Sequence, residues 1–256
     1  MIELTQDQIA TLRPWFVPER AGQQVGLHVI NTGHGAGLAD RWPDPRAILI
    51  NSSANYALAG DPAALTPTML QGRIVGFVNA RPEFVPLLHQ TFDQVAVWPR
   101  VIFTLATPPP SVAASAEVRR LGHADAGVIE GLDADLGWIS STSGGPAELA
   151  GSGYAWGAFV DGGLAALACT FYVGERYEEI GVVTEPAFRG QGLSGASAAA
   201  LCQDIQARGR LACWNTSPDN IASIRVAEKL GFALERHDRL YAIGVAIPPA
   251  AQRPGA

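Results

Sequence analysis

No apolar run in this 256-residue chain approaches the length a helix needs to span a bilayer, so the sequence reads as that of a soluble protein. The N-terminus, Met1 to Asp7, is neither basic nor followed by an apolar stretch with a small-residue cleavage site, and this predicts a cytoplasmic protein. Cysteine is scarce. Cys169, Cys202 and Cys213 are odd in number and lack metal-ligand or redox spacing, which predicts buried thiols that fill the core. The five histidines (His28, His34, His89, His123, His237) show no paired ligand spacing, and no metal is expected. Lys/Arg clusters are absent and the formal net charge is −6, which argues against nucleic acid and suits a cationic small molecule. Charged residues make up only 16% and apolar ones 48%, a composition that folds rather than stays disordered.

The length allows two medium domains, and the stiff, small-residue stretch Thr107 to Ala116 with its three consecutive prolines marks the boundary. The expected division is an accessory α/β domain over 1–107, a Pro/Ala-rich linker over 108–116, a catalytic domain over 117–247 and a disordered tail over 248–256. In the first part, strands are expected at 47–51, 73–78 and 95–106, with a helix opening at Pro82. Gly33-His34-Gly35-Ala36-Gly37 looks superficially like a phosphate loop, but it neither follows a convincing strand nor opens a helix, so it reads as a surface loop. The polar stretch Asn51 to Tyr56 lies at a strand end, where turns form and ligands are also met.

The second part predicts a strand at 117–121, a helix from about His123 and a Gly/Ser-rich connection over 140–153. Three strands at 154–160, 164–173 and 177–184 then follow, joined by hairpin-type turns. A helix over 194–208, a strand at 211–214, a helix over 220–230 and strand material near Phe232 and over 241–245 complete the chain.

Chemistry concentrates in Thr184-Glu185-Pro186-Ala187-Phe188-Arg189-Gly190-Gln191-Gly192-Leu193-Ser194. A strand runs into a glycine turn and a helix opens at once, so the unpaired amides of the first helical turn and the positive end of the helix dipole face one anion site. A glycine turn that serves only geometry has the same outline. Nor does Gly192-Leu193-Ser194-Gly195 match a nucleophile elbow, which needs a second glycine one residue later.

This segment resembles the acyl-CoA-binding motif of the GNAT superfamily, with Arg189, Gly192 and Ser194 at the motif positions and Ser194 in place of the usual Gly or Ala. Asn220 to Phe232, ending in Lys-Leu-Gly-Phe, is similar to the family's last long helix. The likeness covers roughly 117–245, and the first hundred residues resemble, loosely, the accessory half of a bacterial subgroup. The fold implied is GNAT-type α/β (α+β): a mixed, mostly antiparallel sheet flanked by helices. The resemblance implies that Arg189, Gly190, Gln191, Gly192, Leu193 and Ser194 hold a pyrophosphate. It also implies that the pantetheine arm lies beside Val182, Val183 and Thr184, and that Asn220 and Ser223 help seat acetyl-CoA as co-substrate. Asn220 also reads as an ordinary helix cap.

An amine must be neutral to attack a thioester, so a carboxylate base is expected. Alternation puts Glu178 on the face of Ile180, Val182 and Thr184 and Glu179 on the face of Gly181 and Val183, and of the two Glu178 is favoured. Ala227 stands where many relatives carry a tyrosine acid; Tyr241, Cys213 and His237 lie in the following strands, and either Tyr241, the favoured of these, protonates the leaving thiolate or the thiolate departs without an acid. The function implied is transfer of an acetyl group from acetyl-CoA to a small-molecule amine. The alternatives are a non-catalytic acyl-CoA sensor or partner-binding module, and other acyl-CoA chemistry such as decarboxylation. No membrane or nucleic-acid partner is expected, and a homodimer stays open.

Overall fold

The computed structural model describes residues 1–112 and 115–248. Residues 113 and 114 of the expected linker and 249–256 of the expected tail lie outside the described residues. The first half contributes strands β1 (Ile2–Leu4), β2 (Ala36–Ala39), β3 (Ala47–Ser52), β4 (Asn55–Gly60), β5 (Gly76–Ala80) and β6 (Val95–Leu105). The second contributes β7 (Glu117–Arg120), β8 (Ala155–Val160), β9 (Gly163–Val173), β10 (Tyr177–Thr184), β11 (Leu211–Thr216) and β12 (Ala233–Ile243). Helices α1 (Gln6–Ala10), α2 (Val25–Thr32), α3 (Pro67–Leu70) and α4 (Val85–Thr91) belong to the first half, and α5 (Ala126–Glu130), α6 (Pro146–Gly151), α7 (Leu193–Ala207) and α8 (Ile221–Lys229) to the second.

All twelve strands join one sheet in the order β1-β2-β3-β4-β5-β12-β6-β11-β10-β9-β8-β7. Counted inward from either edge the pattern is the same: three antiparallel pairings, one parallel pairing (β4 with β5, β10 with β11), then an antiparallel one. The two halves trade their last strands. β6 pairs with β11, β12 pairs with β5, and β6 and β12 pair with each other along ten register positions from Ala233↔Thr104 to Ile243↔Val95. Each half therefore completes its ladder with a strand from the other, and backbone groups that would otherwise be unpaired in the core are satisfied only in the joined sheet.

The halves differ where a helix follows the fourth strand. Between β10 and β11 lies the 15-residue α7, whose Ala198, Leu201, Cys202 and Ile205 bury against Ile180, Ala212 and Trp214. Between β4 and β5 there is only a short 3-10 turn (Pro62–Ala64) and the four-residue α3. The second half is thus covered on both faces, by α7 and α8 on one side and by α5 and α6 on the other, where Leu149, Leu167, Cys169 and Val183 pack. All eight residues of β10 are buried, so its two glutamates must be accommodated inside the protein.

His28 of α2 ties the first half to the second. Its Nε2 donates to the Thr142 carbonyl at 2.9 Å, its Nδ1 accepts from the Val173 amide at 3.1 Å, and its ring meets Tyr172 edge-on. Burial holds the imidazole neutral, pulling its pKa down to about 4.

The sequence pattern placed β6, β9 and β10 closely and missed the short β1, β2 and α1, which carry too few residues to show a period. The strand expected at 73–78 is β5, displaced toward the C-terminus. The stretch expected as a Gly/Ser connection is helical, a 3-10 segment over Ala134–Ser143 followed by α6, whose first residue is Pro146. The three cysteines are buried free thiols.

Because the central pair β6 and β12 is shared, heat or urea should unfold the protein in one transition, with tryptophan fluorescence and far-UV circular dichroism changing together. Two resolved transitions would mean that the halves hold their ladders independently.

Candidate active site

β10 pairs with β9 from Glu178 to Thr184, but with β11 only over Tyr177↔Leu211, Glu178↔Ala212 and Glu179↔Cys213. From Trp214 to Thr216 β11 stays with β6 while β10 stays with β9, so the two parallel strands part. A register shift between Glu179 and Ile180 leaves Phe171 of β9 over, a bulge in β9 opposite the point of parting. At the fork a cavity of about 700 Å³ opens, lined by Glu179, Ile180, Gly181 and Val182 of β10, by Trp214 to Thr216 of β11, and by Asn220 and Ser223 of α8. Its far wall comes from the first half and includes Ser53 to Tyr56, Phe77, Trp98 and Arg100.

Among the described residues, Glu179 is the carboxylate that β10 and β11 bring to the cavity at the fork. Burial pushes its pKa from the ordinary 4.5 up to about 7, against the opposing pull of the Arg100 cation and a side-chain hydrogen bond from Asn215. Its Oε2 has no hydrogen-bond partner among the described residues. Arg100 is held by Asn215, donating from Nε to Oδ1 at 2.7 Å and from a terminal nitrogen to the carbonyl at 2.9 Å, and lies 4.3 Å above the centre of the Trp98 ring. The result is a chain of contacts from β6 through β11 to β10 that fixes the glutamate.

Glu178 points the other way. Fully buried, it accepts from Thr170 Oγ at 2.5 Å, from Arg208 at 3.0 and 2.7 Å and from Arg210 at 3.0 Å. Alternation divides the two glutamates as expected, but the preference between them reverses, because α7 covers the Glu178 face and brings Arg208 at its C-terminal end onto that carboxylate.

The other expected site residues divide into three groups. Val182, Asn220 and Ser223 line the cavity. Asn220 caps α8 by accepting from the Ser223 amide at 3.2 Å, and Ser223 Oγ accepts from the Trp214 indole at 2.8 Å. Arg189, Gly190, Gln191 and Gly192 form an exposed turn beyond the end of the open strand, outside the cavity wall. Gly190 and Gly192 adopt φ of +78° and +81°, and a side chain on either would project into open space. Gly192 is the N-cap of α7, and no side chain satisfies the first-turn amides, which remain available to an anion. Ser194 sits in that first turn and does not cap it, and Leu193 anchors it against Ala158, Ala165 and Ala166. Thr184 Oγ, at the end of the open edge, is buried without a partner, while the Val183 side chain lies in the core on the opposite face.

Tyr241 is not at the cavity. It is 2% exposed in the core with Leu58, Val78 and Phe84, while its neighbour Leu240 faces the site. Ala227 is buried beneath Trp214, whose ring meets Phe232 edge-on at 5.6 Å. Sequence reasoning missed Arg100, Trp98 and Tyr172. A lone arginine in the apolar strand Val95–Leu105 was the one available signal.

The model of the GNAT acetyltransferase family matches residues 148–241. An uncharacterised N-acetyltransferase of Streptomyces virginiae, encoded in the mutA 5′ region, is 37% identical over 212 residues, 81% of this chain and 90% of that protein. Among solved structures, a GCN5-related N-acetyltransferase-like protein from Streptococcus suis superposes with a TM-score of 0.71 at 17% identity, covering 93% of this chain and 98% of its own. A tandem GNAT protein from the clavulanic acid biosynthesis pathway superposes with a TM-score of 0.58 at 13% identity, over 96% and 99% of the two chains. This chain belongs to the GNAT superfamily. It is an acyltransferase on the GNAT fold, a mostly antiparallel sheet flanked by helices.

The two glutamates should separate in stability measurements. Glu179 holds its proton more tightly folded than unfolded, so the stability linked to that proton is present below pH 4.5 and is lost as the pH rises through about 7. In urea titrations Glu179→Gln should therefore gain on the parent between pH 5 and 8, by up to about 3 kcal/mol. Glu178→Gln should instead lose about 2 kcal/mol across that range, since it strands two partly buried arginines.

Proposed function

We propose that the protein transfers an acetyl group from acetyl-CoA to the amine of a small molecule, with Glu179 as the general base. The observation that carries this reading is the position of Glu179 at the fork of β10 and β11, buried in the cavity with a pKa near 7. A base with that value is about half ionised at neutral pH, so it is available as the carboxylate and still takes up a proton readily.

The residues present fit coenzyme A. The uncapped first turn of α7 and the open glycines at 190 and 192 suit a pyrophosphate, with Arg189 placed for a charge-assisted contact. The edge of β10 from Ile180 to Thr184, left without a strand partner on the β11 side, offers its backbone to the amides of the pantetheine arm, and Asn220 and Ser223 border the same opening. The cofactor supplies the activated thioester. Glu179, directly or through a water, takes the proton that the attacking amine must shed. Arg100 and Asn215 hold that carboxylate in place, and the aromatic walls keep bulk water away.

Tyr241, on the opposite face of β12, is poorly placed to protonate the leaving thiolate, and Ala227 has no proton to give. A thiol has an ordinary pKa of about 8.5, so the thiolate departs at neutral pH without a protein acid.

Glu179→Gln should lower kcat by roughly a hundredfold or more while acetyl-CoA affinity stays within a fewfold. In the parent, kcat should rise with pH and level off above a break near 7. A flat profile, or an unimpaired Glu179→Gln enzyme, would remove Glu179 from the chemistry. Gly192→Val should weaken acetyl-CoA at least about tenfold in calorimetry, because the branched side chain blocks backbone approach to the phosphates. Tyr241→Phe should keep kcat within about threefold; a larger loss with an altered alkaline limb would return the tyrosine to the mechanism.

A further inference from the structure

The wall of the cavity away from the open strand has a distinct chemistry. On the side of the second half, Trp138, Phe171 and Tyr172 form a chain of edge-to-face rings with centroids 5.3 and 4.8 Å apart. On the side of the first half, Phe77 and Trp98 stand tilted at 4.9 Å, with Tyr56 beside them. Charge is sparse by comparison. Among the described residues that line the cavity, the carboxylates are Glu179 and Asp135 and the one cation is Arg100, held over Trp98 and bonded to Asn215.

We infer that this aromatic wall is the acceptor subsite, and that it takes a monoamine carried on a flat aromatic body, with the N-terminal half supplying part of the selectivity. The inference rests on the amine-acylation reading above. A ring entering between two aromatic walls finds offset and edge contacts on both sides, and its area is removed from water. One ammonium can be matched at Glu179. Among the described lining residues a second or third cationic centre finds only the solvent-exposed Asp135 and is repelled by Arg100, so polyamines and aminoglycoside-like polycations are disfavoured. The aromatic residues from β4, β5 and β6 explain why a half without an α7-like helix is retained: it closes the pocket in which the acceptor lies.

The test separates binding from turnover. The full-length protein, saturated with coenzyme A, is titrated calorimetrically with 2-phenylethylamine and with spermidine, and thiol release from acetyl-CoA is followed with each amine. The expected result is saturable binding of 2-phenylethylamine at least tenfold tighter than that of spermidine, with faster thiol release. Phe77→Ala should weaken 2-phenylethylamine about tenfold and leave coenzyme A affinity within twofold. Phe77→Leu, which keeps the volume but not the ring, should weaken it a fewfold and serves where the alanine variant does not fold. Equal or tighter binding of spermidine, or failure of 2-phenylethylamine to bind, overturns the aromatic subsite. Binding of 2-phenylethylamine that responds to Phe77 but yields no thiol supports the subsite and instead sinks the amine-acetylation reading.

Discussion

The separation of β10 from β11 after Glu179 and Cys213 is the constraint on which the rest of the site depends. A parallel pair that continued to Thr184 would satisfy the backbone on both sides and leave no opening. Here β11 follows β6, β10 follows β9, and a leftover residue in β9 marks the point where they diverge. The fork provides three things at once: a strand edge with unpaired backbone, a cavity that reaches across the sheet, and a buried position at its apex occupied by a carboxylate. Nothing comparable arises at β4 and β5, which pair from Asn55↔Phe77 to Leu58↔Ala80 and are followed by no long helix. The two halves share a strand plan, yet among the described residues only the second follows its fourth strand with a long helix.

Two adjacent glutamates, equally deep in the protein, are used in opposite ways. Glu178 is surrounded by hydrogen-bond donors, two of them guanidinium groups, and its burial is offset by those contacts. Glu179 feels the cations of Arg100 and Arg236 and one amide, and desolvation outweighs them together. What separates the two is neither sequence position nor depth but the number of hydrogen-bond donors within reach of each carboxylate. The difference traces to which face of β10 the C-terminal turn of α7 covers.

Much of the second half was legible in the sequence, because its strands are long, alternate cleanly and end at glycine turns, and because Arg189 to Ser194 follows a strand and opens a helix. The faces of Glu178 and Glu179 could also be read from alternation. Which face held the cavity could not, since that is decided by Arg208, thirty residues downstream, and by strands from the other half. Tyr241 illustrates the same limit: its neighbour Leu240 faces the site, and a one-residue difference in side-chain direction on β12 separates the cavity from the core. The short elements at the start of the chain were invisible for want of length, and the 3-10 segment at Ala134–Ser143 for want of helical periodicity. The exchange of β6 and β12 has no signature in composition or spacing, because either strand would look the same if it paired within its own half.

That exchange bears on how the chain reaches its native state during synthesis. When β6 leaves the ribosome its two eventual neighbours, β11 and β12, have not yet been made, and β5 likewise waits for β12, the last strand among the described residues. An apolar strand, Val95–Leu105, must persist with both edges unsatisfied until β11 (Leu211–Thr216) is made, in the state most open to pairing with another chain. Its N-terminal segment, Val97 to Arg100, interrupts the apolar run with a proline and an arginine, which blunt such pairing. Arg100 thus has a use before the cavity exists, as a guard on a nascent strand, and only later becomes the group that steadies a glutamate.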